Sequence, residues 1–197
     1  MNDADSCRCD DMAARILRFC EAHDVKIVAA ESLTGGLLAD AFVRVPGASR
    51  VFLGSAVTYD IRAKASILGV DRGLLEREGA VHPEVARQMA ASVAGLYGQP
   101  EYADRVIGLS TTGVAGPGPD GDKPAGLVYV GVRIPAAISP DGVPSVTAHE
   151  LHLTGGREEV RRGAVFSLVQ IVSHFTGDIQ EYTAAGGVDR SGSTWTI

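Results

Sequence analysis

The sequence predicts an α/β fold in which helices cover one central β-sheet. Short apolar runs alternate with segments whose apolar residues recur at helical spacing, which is typical of strands and helices that alternate along a chain. The chain has 197 residues, and a chain of this length usually folds around a single hydrophobic core. Hydrophobic residues make up 45% of it, which is enough to fill a layered interior.

The N-terminal half predicts helix, strand, helix, strand and helix in that order. The first helix begins at about Asp11, and the first strand, at 25–30, is a mostly apolar run. A polar, glycine-rich turn at 31–36 leads into a helix at 37–43, which ends before Pro46 because proline interrupts helices. The apolar stripe of the first helix comprises Met12, Ile16, Leu17 and Cys20, and a strand at 51–59 and a short helix at 63–68 complete this half.

The C-terminal half adds two helices and three strands. Pro83 occupies a favoured first helical position and opens a helix with one apolar face. Strands are predicted at 106–109, 127–134 and 145–153, and a long loop at 111–124 follows the first of them. The apolar stripes comprise Val85, Met89, Val93 and Leu96 in the first helix and Val160, Ala164, Leu168, Ile171, Val172 and Phe175 in a final helix at 158–175.

These elements predict one folded domain at 11–176, between a flexible leader at 1–10 and a tail at 177–197. The leader is acidic and polar, and the tail is rich in Gly, Ser and Thr without any apolar period. The three cysteines lie within the first twenty residues, too close together to cross-link a domain of this size. We therefore expect free thiols and a cytoplasmic protein.

Charge and hydropathy exclude several classes of function. The net charge is −6, and no basic run is present, so nucleic-acid binding is not expected. No segment has the 18 or so continuous apolar residues of a membrane span, so no membrane partner is expected either. His149 and His152 would point to opposite faces of their strand, and Cys7 and Cys9 lack a second ligand pair. We therefore predict no metal site.

The glycine-rich turn after the first strand is the first candidate site. It contains Ser32 and Thr34, followed by Gly35 and Gly36. A strand-to-helix turn of this kind brings hydroxyls and backbone amides to the edge of a sheet, where they can face a ligand. The alternative is structural: a hydroxyl caps the next helix and the glycines shape the turn.

The loop at 111–124 is the second candidate, because long loops in compact domains are often functional. Gly116, Gly118 and Gly121 match the spacing of a dinucleotide-binding loop, but the prolines among them remove amide donors and break the helix such a loop requires. The residues left to surround a polar group are Thr111, Thr112 and Gly113. A purely structural loop is the alternative.

Two further segments carry charged candidates. Tyr59 ends a predicted strand and Lys64 lies near the start of the next helix, although a lone lysine is usually a solvated surface charge. Arg157 and Arg161 fall on one face of the last helix. Their alternative role is a surface salt-bridge cluster with the neighbouring Glu158 and Glu159.

Nine short segments follow one another along the chain: AESLTGG at 30–36, VPGAS at 45–49, FLGSAVTY at 52–59, AK at 63–64, LGV at 68–70, GAV at 79–81, TTGVAGP at 111–117, KPAG at 123–126 and GREEVR at 156–161. Taken together, these segments resemble the C-terminal domain of the CinA family in order and spacing from about position 11 to 175. Two departures are visible, namely Leu33, where many relatives have cysteine, and a longer tract at 98–105.

The resemblance implies a three-layer α/β/α sandwich around one central sheet and a stand-alone nicotinamide-mononucleotide deamidase that needs no cofactor. By this resemblance Ser32 is the nucleophile, Lys64 its proton acceptor and Tyr59 a supporting group, with Thr111 in the active-site loop. Arg157 would reach the nucleotide phosphate. The resemblance also implies a homo-oligomer. The residues expected to bind substrate are Thr34, Gly35, Gly36, Thr112, Gly113, Gly116 and Arg157.

Two alternatives to this function remain open from the sequence. One is a regulatory module that binds a nucleotide without turning it over, and the other is a hydrolase that acts on a different amide. The first does not require Ser32, Tyr59 and Lys64 together, which favours an enzyme. An unactivated amide needs a nucleophile, a base and donors for the oxyanion, and a lysine can be the base where burial lowers its pKa.

Overall fold

The computed structural model describes residues 3–102 and 104–184. Within them, five strands form one mixed sheet and six α-helices pack on it. The elements are α1 (Asp3–Ala22), β1 (Lys26–Glu31), α2 (Leu37–Val43), β2 (Phe52–Val57), α3 (Ile61–Leu68), α4 (Arg72–Glu78), α5 (Pro83–Leu96), β3 (Val106–Gly113), β4 (Leu127–Ile134), β5 (Ser145–His152) and α6 (Arg157–Ala184).

The sheet has the strand order β2-β1-β3-β4-β5, with β1 in parallel between β2 and β3. β4 and β5 continue it in antiparallel orientation. The last residue of β1, Glu31, is paired with Val57 of β2 and Thr111 of β3. The carboxyl ends of three strands therefore meet at one edge, which is where open α/β sheets commonly bind ligands.

Each face of the sheet is covered by its own helices. Along β1, Ile27 and Ala29 pack into the core under α1, α2 and α6, whereas Val28 and Ala30 pack into the core under α3, α4 and α5. This alternation is the two-residue period of a strand that is buried on both faces. The arrangement confirms the predicted α/β fold and its three layers.

Two predicted domain boundaries need correction. α1 begins at Asp3, and Cys9 is 1% exposed within the core, so most of the expected leader is helical. The sequence hides this because polar residues surround Cys9, which extends the stripe of Met12 and Ile16 by one turn. α6 likewise continues past Gly177 to Ala184, with Ile179 packed against the core. The rest of the expected tail, 185–197, lies outside the described residues.

Two interior elements also differ from the prediction. β3 extends to Gly113, so Thr111 and Thr112 belong to a strand and not to the loop. Hydrogen bonds satisfy both hydroxyls inside the sheet layer, which is why polar residues are tolerated there. The helix α4, capped by the side chain of Asp71, has no counterpart in the predicted elements. Of the described helices, none combines the length and apolar character that a membrane crossing requires.

Candidate active site

Ser32 and Lys64 meet at the carboxyl edge of the parallel strands. Ser32 begins the turn between β1 and α2, and Lys64 lies in α3, which follows β2. The Lys64 Nζ donates to Ser32 Oγ at 2.8 Å and to the Thr58 carbonyl at 2.6 Å. A longer contact of 3.5 Å joins it to the Tyr59 carbonyl. The structure thus brings the two expected catalytic groups into direct contact.

Lys64 is fully buried, with 0% of its surface exposed. Burial disfavours the charged ammonium and lowers the pKa of Lys64 to about 8, against a smaller opposing effect of the Asp60 carboxylate. Asp60 caps α3 by accepting from the amides of Arg62 and Ala63. At pH 7 about a tenth of Lys64 is therefore the neutral amine, the form that can accept a proton from a hydroxyl.

Glu31, which the sequence analysis did not single out, organises the turn around Ser32. Its carboxylate is completely buried and accepts five hydrogen bonds. The donors are the Thr34 and Ser55 hydroxyls and the amides of Gly36, Leu38 and Ala39. A buried carboxylate is tolerated when enough donors replace its water. The only sequence signal for this role is an acidic residue that directly follows the apolar run of β1.

Thr34 and Thr111 extend this network from Glu31 to β3. The Thr34 hydroxyl donates to Glu31 and lies 2.8 Å from the Thr111 hydroxyl. Because Thr34 has only one hydroxyl proton, Thr111 must donate to Thr34. The Thr111 carbonyl accepts from the Ser32 amide at 3.0 Å. Thr111 therefore supports the turn from behind, and its fully buried hydroxyl contacts Thr34.

Gly35 and Gly36 shape the turn, as expected from the sequence. Both have positive φ, 55° and 102°, a conformation that glycine adopts without strain. The other two predicted substrate contacts in β3 have structural partners. The Thr112 hydroxyl donates to the Ala80 carbonyl, and a Cβ on Gly113 would lie 2.6 Å from the Leu127 carbonyl. Gly113 is therefore a site of close packing between β3 and β4.

Arg157 joins the predicted groups on the outer side of the site. Its guanidinium donates to the Tyr59 hydroxyl at 2.8 Å and to the Gly116 carbonyl at 2.6 Å. Tyr59 is 62% exposed, and its backbone rather than its ring approaches Lys64. These contacts connect the segment after β2, the loop after β3 and the start of α6. The structure thus places Tyr59, Gly116 and Arg157 together.

Arg161, which the sequence analysis assigned to a helix face, contacts the turn directly. Its guanidinium donates to the carbonyls of Leu33 and Thr34, both at 2.9 Å, and to the Glu158 carboxylate. Arg161 lies four positions after Arg157, so one helical face presents both cations to the site. The i, i+4 spacing of the two arginines indicates a shared helical face, but surface ion pairs with neighbouring glutamates produce the same spacing, so the sequence could not identify the contact with the turn.

Comparison with known proteins identifies the family. Residues 9–175 match the model of the CinA C-terminal domain. The chain belongs to the CinA family. A CinA-like protein from Frankia casuarinae is 38% identical over 90% of this chain, and a putative competence-damage inducible protein from Alkaliphilus oremlandii is 45% identical over 67%. The chain spans only 38% and 29% of the lengths of these two relatives.

Solved structures of the family have the same fold. The competence/damage inducible protein CihA from Agrobacterium tumefaciens aligns with a TM-score of 0.73 and 30% identity, over 85% of this chain and 94% of its own. A CinA superfamily protein from Escherichia coli aligns with a TM-score of 0.71 and 29% identity, over 88% of this chain and 93% of its own. The match to the CinA model begins at Cys9, within α1.

The Glu31 network of this CinA domain predicts a specific sensitivity to an isosteric change. Glu31→Gln replaces one acceptor oxygen by an NH₂ group, which faces two or three donors whichever way the amide turns. We expect the free energy of unfolding to fall by about 3 kcal/mol or more, measured by urea denaturation. Glu76→Gln removes the same charge from an exposed helical position and should change it by less than about 0.5 kcal/mol. Similar losses in both variants would contradict the role of Glu31.

Proposed function

We propose that this CinA domain is an amidohydrolase that converts nicotinamide mononucleotide and water to nicotinic acid mononucleotide and ammonia. The observation that carries the proposal is the 2.8 Å contact between the buried Lys64 amine and the Ser32 hydroxyl. We further propose that it acts in the cytoplasm as a homo-oligomer, without metal or cofactor. The free thiols of Cys7, Cys9 and Cys20 are compatible with a reducing compartment.

The surroundings of Lys64 suit a general base. A neutral amine has two N–H groups and one lone pair, and the carbonyls of Thr58 and Tyr59 are acceptors for the two N–H groups. The lone pair is then directed at Ser32 Oγ, from which it can accept the proton as the oxygen attacks the amide carbon. The site therefore orients the lysine, and burial lowers its pKa toward neutrality.

Two backbone amides are available to stabilise the oxyanion that this attack creates. Among the described residues, the N–H groups of Leu33 and Thr34 donate to no protein acceptor, although both residues are buried. Buried amides are rarely left unpaired, and these two directly follow the proposed nucleophile. Donors held in place before the charge develops are the usual means of stabilising a tetrahedral intermediate.

The reaction then proceeds through a covalent intermediate. Collapse of the tetrahedral intermediate breaks the C–N bond, and the protonated Lys64 transfers its proton to the departing nitrogen, which leaves as ammonia. An ester between Ser32 and the nicotinoyl group remains. Neutral Lys64 next takes a proton from water, whose oxygen attacks the ester and releases the carboxylic acid, and the proton returns to Ser32. One water is consumed and no oxidant or reductant is needed.

Arg157 is the proposed phosphate ligand. The chain is acidic overall, so an anionic nucleotide must be held by a local positive group, and a guanidinium binds phosphate through two parallel hydrogen bonds. Its present partners, the Tyr59 hydroxyl and the Gly116 carbonyl, are neutral acceptors. A dianionic phosphate is a stronger acceptor than either, so it can take over these two donors.

Two other functions remain as alternatives. A nucleotide-binding module without catalysis would retain Arg157 but has no use for a buried lysine, whose desolvation costs stability. A hydrolase acting on another amide would use the same Ser32 and Lys64. Ammonia release from nicotinamide mononucleotide, compared with nicotinamide riboside, nicotinamide and unrelated amides, separates these possibilities.

The serine–lysine unit predicts a non-additive pair of substitutions. Ser32→Ala and Lys64→Ala should each lower kcat for ammonia release by on the order of 10³-fold or more. The double variant should be little worse than either single one, because both residues serve the same step. Lys26→Ala, which alters a lysine at the other end of β1, serves as control and should keep near-normal activity. Near-normal turnover in Ser32→Ala would contradict the mechanism.

The pKa of Lys64 predicts the pH dependence of the reaction. The base must be neutral, so kcat should rise about tenfold per pH unit below the pKa and level off above about pH 8. Steady-state rates between pH 5.5 and 9.5 test this. Lys64→Arg should abolish the rise together with activity, because a guanidinium stays protonated throughout. A rate that falls as pH increases from 6 to 8 would exclude a lysine base.

The proposed phosphate contact predicts selective discrimination between two substrates. Arg157→Ala should raise KM for nicotinamide mononucleotide by about tenfold or more, since charge-assisted contacts to phosphate are among the stronger hydrogen bonds. KM for nicotinamide riboside, which lacks the phosphate, should change much less. Equal effects on both substrates would assign Arg157 a structural role, that of holding Tyr59 and Gly116.

A further inference from the structure

The backbone of the Ser32 turn is held from two sides by groups of opposite charge. The Glu31 carboxylate accepts the amides of Gly36, Leu38 and Ala39. The Arg161 guanidinium donates to the carbonyls of Leu33 and Thr34. Within the backbone of this turn, the Glu31 carboxylate accepts only from N–H groups, and the Arg161 guanidinium donates only to carbonyl oxygens. Each peptide group that they bind therefore has a fixed orientation.

The contact between Arg161 and Leu33 fixes the peptide unit that joins Leu33 to Thr34. In a trans peptide the C=O and N–H bonds point in opposite directions. With the Leu33 carbonyl directed at Arg161, the Thr34 N–H therefore points to the other side of the turn. This is one of the two amides for which no acceptor is found at positions 3–102 and 104–184.

The second contact of Arg161, to the Thr34 carbonyl, fixes the next peptide unit of the turn. The Thr34 carbonyl also accepts from Arg161, and the amide of the next residue, Gly35, donates to the Ser32 carbonyl. Inward rotation of the Thr34 peptide would break both bonds. The Ser32 carbonyl is likewise engaged, which directs the Leu33 N–H away from it. Neither free amide can therefore turn toward a protein acceptor without loss of an existing hydrogen bond.

We propose that Arg161 is a positioning residue that holds the Ser32 turn in place and orients and polarises the Thr34 N–H, one of the two oxyanion donors of the serine mechanism. The inference rests on the proposed function, because it assigns a role within acyl transfer to Ser32. A cation that binds a carbonyl oxygen withdraws electron density from the whole peptide group, so the N–H at its other end becomes a stronger donor. Arg161 thus acts on the reacting oxygen through the Leu33–Thr34 peptide bond.

The geometry requires an arginine in particular. Its Nε and Nη2 reach two successive carbonyls at 2.9 Å each, while Nη1 binds Glu158. Lysine carries the same charge as a single point and cannot hold two carbonyls in this fixed geometry. The neighbouring Arg162 offers a matched control, because it pairs with the same Glu158 at 2.7 Å but has no contact with the turn among the described residues.

The first experiment separates transition-state effects from substrate binding. Arg161→Met should lower kcat for deamidation by about 10- to 100-fold, less than the loss of a whole oxyanion donor. Arg161→Lys should fall between this variant and the wild type, and Arg162→Met should match the wild type. In a Ser32→Ala background, where substrate binds without turnover, Arg161→Met should change the Kd of nicotinamide mononucleotide by less than about threefold.

A second experiment tests Arg161 without reference to the substrate. A fluorophosphonate ester reacts with activated serines: Ser32 Oγ bonds to phosphorus, fluoride leaves, the serine proton passes to Lys64, and negative charge develops on the phosphoryl oxygen. The rate of Ser32 labelling, followed by mass spectrometry, should fall about tenfold or more in Arg161→Met. Arg162→Met should label at the wild-type rate. If the wild type is labelled but hydrolyses no nicotinamide compound, the proposed function fails while Arg161 remains testable.

Three outcomes would overturn the role of Arg161. Arg161→Met could retain wild-type kcat and labelling rate, or it could weaken substrate binding as much as it lowers kcat. Arg161→Lys could match the wild type, which would show that charge alone suffices. If Arg161→Met does not fold, judged by circular dichroism, Arg161→Lys and guanidinium rescue of Arg161→Ala carry the test, with restored kcat expected and its absence contradicting the proposal.

Discussion

The carboxyl edge of the parallel strands in this CinA domain depends on the buried carboxylate of Glu31. Its two oxygens accept five hydrogen bonds that join the end of β1 to the Ser32 turn, to the first residues of α2 and to Ser55 of β2. Through Thr34 the network also reaches Thr111 of β3. Hydrogen bonds from the Glu31 carboxylate, directly or through Thr34, thus connect three neighbouring strands and one helix. Ser32 directly follows Glu31 in sequence.

Glu31 and Lys64 are both buried, but they differ in how far hydrogen bonds from the protein replace the water that each charged group loses. Glu31 has a full set of donors, which compensates the loss of water around a charge. Lys64 has two carbonyls and one hydroxyl as partners, and burial dominates, so its pKa falls. The same edge of the sheet therefore holds a buried carboxylate with five donors and a buried lysine whose charged form is disfavoured by desolvation.

The roles of Ser32 and Lys64 were expected from the resemblance to the CinA family, whereas local signals in the sequence predicted a sheet covered by helices. The apolar run before Glu31 marks β1, and Gly35 and Gly36 mark the turn. By contrast, Glu31 and Arg161 depend on partners that only the tertiary structure supplies, since Arg161 bonds to residues 127 and 128 positions earlier. Thr111 and Thr112 were assigned to a loop for a related reason: their polarity is compatible with a strand only once buried acceptors are known.

The distance in sequence between Arg161 and the turn limits how far the active site can be treated as a motif. The heptapeptide at 30–36 contains the serine and the glycines, but its backbone orientation is imposed by α6, which packs beside α1 and α2. A protein engineer who grafted this peptide onto another strand-to-helix junction would transfer the hydroxyl without the directed amides. Such a graft would carry the Glu31 carboxylate within the peptide, but it would lack the guanidinium that α6 supplies to the Leu33 and Thr34 carbonyls. The portable unit is thus two segments that lie far apart in sequence.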